Sequence, residues 1–147
     1  AASGPDFDEV VSLRLVPRGR GAFKGEAVAD ALVRAGLARG RFDIFHYTPP
    51  TLDREVFSIA NSVEPGTLRE EDLAGHPLPG LAAFMLLPGP LPGVKSLEVM
   101  VATCRELAGY LDAEVQDDTG GSLTRQTEEH LKERIVSVEH RRRRAGR

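Results

Sequence analysis

An α+β fold is predicted, a six-stranded, mostly antiparallel sheet with three helices on one face. Three observations predict it. Several short stretches alternate apolar and polar residues with period two, as half-buried strands do. Three others carry apolar residues at helical spacing. The order reads β-α-β-β, then β-α-β-β, then α: two copies of one unit plus a helix. Three helices can cover one face of such a sheet but not both, so the second face is expected to stay open.

The first strand is residues 8–16, DEVVSLRLV, with Val11, Leu13 and Leu15 on one side and Val10, Ser12 and Arg14 on the other. A loop rich in Gly and Arg follows. Residues 26–36, EAVADALVRAG, place Val28, Ala31, Leu32 and Ala35 on one helical stripe, and Gly36 suits its end. RFDIFHYT, 41–48, is read as the second strand, with Phe45 and Tyr47 inward and Phe42 and Ile44 outward. VFSIANSVEPGTL, 56–68, is read as the third. There Phe57, Ile59 and Val63 form a core side, and Val56, Ser58, Ala60 and Ser62 a small, smooth, uncharged side. Residues 68–80 are a connection with room for one helical turn. LAAFMLLP, 81–88, is a fourth strand, apolar on both sides, with Ala82, Phe84 and Leu86 outward. Residues 94–113 form a helix with Leu97, Met100, Val101, Cys104, Leu107 and Leu111 on one stripe. AEVQDDTGGSLT reads as a hairpin turning near Gly120-Gly121. A last helix starts near Thr124, with Leu131, Ile135 and Val138 inward.

The 147 residues suit one domain over 8–140, preceded by a linker remnant at 1–7 and followed by a disordered basic tail at 141–147. That tail holds five of the 19 basic residues. Removing them leaves 14 against 22 acidic ones, a body of −8. Arginines at a helix end suit its dipole, so they are read as a solvated end rather than a nucleic-acid patch. One cysteine excludes an intrachain disulfide and fits a reducing compartment. No apolar run approaches the ~20 residues of a membrane span. The chain reads as a soluble fragment, with room for an anchor upstream.

Catalytic readings are weak. Gly19-x-Gly21-x-x-x-Gly25 lies where a phosphate loop belongs, and Arg18, Arg20 and Lys24 could attract an anion. The spacing is one residue too long for the dinucleotide fingerprint, and Lys24 is not followed by Ser or Thr. His46, His76, His130 and His140 are scattered without metal-ligand spacing, and Cys104 sits on an apolar stripe. Asp117-Asp118 precede a turn, where Asp is favoured for local hydrogen bonds. Neither an enzymatic activity nor a cofactor, metal or small-molecule substrate is expected.

The outward residues point instead to recognition. Phe42 and Phe84 would stand above small side chains on an uncovered face, and an exposed apolar patch usually marks a binding site. An RNA-binding sheet stacking bases on Phe42 and Phe84 is the alternative. It conflicts with the acidic body and lacks that module's aromatic, basic signature.

FDIFH (42–46), VFSIANSVEPGT (56–67) and LPGLAAFMLLP (78–88) are, in order, the segments by which the chain resembles the C-terminal FtsZ-binding domain family of ZipA, a bacterial cell-division protein. GEAVADALVRAG and LDAEVQDD fit at their places, and the likeness covers roughly 8 to 140. The resemblance implies that the bare sheet face binds the C-terminal tail of FtsZ through apolar contacts. It implies Val10 and Ser12 on the first groove strand, Phe42 and Ile44 on the second, Ala60, Ser62 and Glu64 on the third, and Ala82 and Phe84 on the fourth. It also implies an N-terminal membrane span and a long linker outside this chain. These would tether the division ring to the cytoplasmic side of the inner membrane at the septum. The resemblance also marks departures: Ser12 and Ser62 stand where a member of that family has Ile and Met, and Glu64 replaces a Lys. The groove is therefore expected to be shallower and more acidic.

Overall fold

Alternation in EVVSLRLVP produces the central strand β1, Glu9–Pro17, whose Val11, Leu13 and Leu15 are fully buried. The computed structural model describes residues 9–19 and 21–145. The segment 1–7, Arg20 and Arg147 lie outside the described residues.

β2 (Phe23–Lys24) leads into α1 (Gly25–Arg34), which buries Val28, Ala31 and Leu32 as its stripe predicts. β3 is Ala38–Arg39, β4 Phe45–Tyr47 and β5 Phe57–Asn61. α2 is a single turn, Glu70–Leu73, followed by β6 (Pro77–Leu78) and β7 (Leu81–Leu87). α3 (Gly93–Leu111), β8 (Ala113–Asp117) and α4 (Arg125–Ala145) complete the chain.

The main sheet has six antiparallel strands in the order β3-β4-β5-β7-β1-β8. The predicted class, strand number and open face hold. One member differs. The sixth strand is the short β3, paired with β4, and not the far arm of the last hairpin. That arm makes only a bridge between Gln116 and Ser122, because Asp117 folds the chain back by accepting from Thr119 and Gly121. β2 and β6 form a separate two-stranded sheet.

α3 packs on β1, β7 and β8 and is flanked by α1 and α4. Leu97, Met100, Cys104 and Leu107 of α3 meet the inward residues of β1, β5 and β7 in one core. At about 25 cal/mol per Å² of apolar surface removed from water, this continuous layer is the main source of stability. Gly25 is explained by packing rather than by phosphate binding. A Cβ there would lie 1.7 Å from the Leu73 carbonyl oxygen, so only Gly lets α1 start against α2. α4 runs through Arg141–Arg144, which are exposed on its last turns.

Candidate functional site

Antiparallel register turns the open face into rows. Ser12 of β1 stands opposite Phe84 of β7, Phe84 opposite Ser58 of β5, and Ser58 opposite His46 of β4. The next row is Gln116, Arg14, Ala82 and Ala60. Val10 faces Leu86 one step the other way, and both are about two-fifths exposed, at 39% and 40%. Phe84 is thus ringed by Ser12, Ser58 and Ala82. The small face of β5 is a floor that leaves the aromatic ring partly exposed.

Beside this floor lies a cleft of about 540 Å³. Phe42, Ile44, Val56, Ser58, Phe84 and Leu86 line it, with Arg41, Glu55 and Pro88–Pro90 at its rim. Phe42 is 76% exposed and has φ 61°, in the left-handed region where a bulky residue is a strained exception. Asp43 follows at φ 56°.

A hydrogen-bonded chain holds this strained turn. His46 Nε2 lies 3.1 Å from the Arg41 carbonyl, which can only accept, so Nε2 carries the proton and donates. In the neutral ring His46 Nδ1 then accepts from the Ser58 hydroxyl at 2.7 Å. Ser58 is 95% buried, so this bond also satisfies the floor's polar group. A Cβ on Gly40 would come within 2.8 Å of the His46 ring, which explains glycine there. Arg41 closes the rim by an ion pair to Glu55 at 2.7 Å and lies 5.7 Å from the Phe42 ring centroid. Partial burial raises the Glu55 pKa, but its own backbone N–H, Arg41 and His46 lower it further, leaving it below the ordinary value. Burial pushes the Cys104 thiol up to about 12, which keeps it inert. Among the described residues no cluster of His, Cys, Asp or Glu could hold a metal, and no helix is long and apolar enough to cross a membrane.

Several sequence expectations change place. Phe42 is not on a strand. It sits in a 3-10 turn, Arg41–Asp43, where the positive φ values break extended pairing and the Asp43 carbonyl accepts from Leu68. Ile44 is extended but outside β4, and it is 93% buried although it lines the cleft. Val56, expected outward, is buried, its N–H donating to the Tyr47 carbonyl. Ser62, Val63 and Glu64 lie past the end of β5, in an exposed turn. There the Asn61 side chain accepts from the Val63 N–H and Pro65 has no donor to continue the ladder. Val63 is therefore 45% exposed instead of buried. The cleft gathers Phe42, Ile44 and Phe84. Val10, Ser12, Ala60 and Ala82 stay on the open face outside it, and Ser62 borders a second depression. The cleft also uses Ser58 and Leu86, which alternation places outward. Arg41, Glu55 and Pro88–Pro90 come from connections whose path no periodicity signals.

Residues 9–134 match the family model described as ZipA, C-terminal FtsZ-binding domain. The chain is 38% identical over 139 residues to the cell division protein ZipA of Pseudomonas syringae pv. syringae (strain B728a), covering 93% of this chain and 48% of that protein. It is 35% identical over 144 residues to the cell division protein ZipA of Marinobacter nauticus, covering 97% of this chain and 43% of that one. It thus spans about half the length of the relatives it matches.

Proposed function

We propose, since this chain belongs to the ZipA C-terminal, FtsZ-binding domain family, that it is a non-enzymatic domain that captures the C-terminal tail of FtsZ on the open sheet face. One observation carries the reading. Phe84, Leu86 and Val10 stand on a face that no helix covers, beside a cleft opened by Phe42. The physics is apolar anchoring of a short peptide on a preformed surface with a polar rim. The site consists of Val10, Ser12, Phe42, Ile44, Ala60, Ala82 and Phe84, with Ser62 and Glu64 at its edge. The cleft extends it to Ser58 and Leu86. In the whole protein, this capture tethers the division ring to the inner membrane.

Titrating FtsZ tail peptide into isotopically labelled domain tests this. Amide shifts are expected to cluster on β1, β5, β7 and the turn at Phe42. Shifts confined to the helices, or no binding, would overturn it.

A further inference from the structure

Charge is distributed unevenly over the open face. Around the cleft Arg41 and Arg54 are matched by Asp53 and Glu55. At the other end a depression of about 410 Å³ is bounded by Arg14, Asn61, Ser62, Gly80 and Ala82, and among the described residues Arg14 is its only charged wall. Arg14 is exposed, and no hydrogen bond or ion pair engages it among the described residues. The acids near it in the fold are not its partners. Glu114 on β8 accepts from Ser122 and Gln116, and Glu64, in the turn beyond Ser62, makes no ion pair with it.

Register fixes where this cation stands. Ser12 faces Phe84 and Arg14 faces Ala82, so Arg14 is one pleat from the aromatic anchor, roughly 7 Å along the strand. A peptide packed on Phe84 brings a neighbouring side chain over Arg14. The guanidinium presents a planar fork of donors that matches a carboxylate, and docking one breaks no existing pair. β1 lies inside the sheet, between β7 and β8. With β7 and β8 on either side of it, Arg14 has sheet surface around it on which a docked chain can continue, which suits a side-chain carboxylate better than a chain end.

Resting on the reading of this face as the peptide site, we propose that Arg14 is a specificity-determining residue that selects an Asp or Glu side chain of the bound peptide, close to the apolar residue that packs on Phe84.

The test is calorimetry of FtsZ tail peptides against wild type, Arg14→Gln and Arg14→Lys, each confirmed folded by its melting curve. The peptides carry a free or amidated end, and single Asp→Asn or Glu→Gln replacements. Arg14→Gln is expected to weaken binding about three- to fivefold at low salt and less than about twofold near 0.5 M, as an exposed pair should. Arg14→Lys should keep part of the affinity. One acidic-to-amide replacement should reproduce the loss in wild type and have no effect in Arg14→Gln. Binding indifferent to Arg14→Gln at low salt overturns the proposal, as does a loss that follows amidation of the peptide end. If wild type binds no tail peptide, the reading of the whole face fails, and this proposal with it. If Phe84→Ala weakens binding and Arg14→Gln does not, only the role of Arg14 fails.

Discussion

The two sides of β7 have nearly the same chemistry and opposite fates. Leu81, Ala83, Met85 and Leu87 are at most 1% exposed beneath the helical layer. Ala82, Phe84 and Leu86 alternate with them and remain partly or well exposed. Hydrophobicity cannot separate the two sets, since each pairs small residues with large apolar ones. The supply of helices separates them. α3 with its flanking helices covers one face, and among the described residues no helix is left for the other. One face thus does its apolar work within the chain, and the other stays free for a partner.

The strongest way to break this comparison is to damage the covered side. Met85→Ala should cost about 2–5 kcal/mol of stability, through lost burial and the cavity left behind. Denaturant melts measure this, and the protein that remains folded should bind tail peptide as wild type does. A loss below about 1 kcal/mol would show that this face is not sealed as described.

The converse change is Phe84→Ala, two-faced strand and all else kept. It should weaken tail binding by roughly 1–3 kcal/mol, as loss of a central aromatic anchor does. Unfolding stability should fall by about 1–2 kcal/mol, less than for Met85→Ala, because the ring is covered on its sheet side and open on the other. Calorimetry and a melt on one sample give both numbers, and unchanged affinity would sink the assignment of this face.

A sharper comparison lies within the open face, between its flat floor and its strained rim. His46→Ala removes the link between Ser58 and the Arg41 carbonyl and strands a buried hydroxyl. The expected cost is about 1–2 kcal/mol of stability, given ~1 kcal/mol per hydrogen bond. Amide shifts should concentrate at Arg41–Asp43. Unperturbed shifts there would mean the turn holds itself.

The smallest effect is expected far from both faces. Deleting residues 141–147 removes, among the described residues, the exposed end of α4 (141–145) beyond Val138, its last buried residue. Tail affinity should change by less than about twofold. A loss above tenfold, or ~1.4 kcal/mol, would bring the arginines into the site.

The sequence by itself determined the layers. Period-two alternation placed Leu13, Ile59 and Met85 inward and Ser12, Ala60 and Phe84 outward, because a strand fixes opposite directions for neighbouring side chains. The same rule with period 3.6 placed Met100, Cys104 and Ile135 in the core. It also determined that one face would lack helices, since that follows from counting elements. The tertiary structure alone decided the edges. Phe42 and Ile44 left the predicted strand because backbone conformation there is set by bonds to distant groups, such as that between Asp43 and Leu68. Ser62 and Val63 left theirs because Asn61 turns the chain just where the ladder loses a donor at Pro65. Alternation is a property of a continuing ladder and carries no information about where pairing stops. The cleft is built where it stops, from connections meeting in space, so its floor was legible in the sequence and its rim was not.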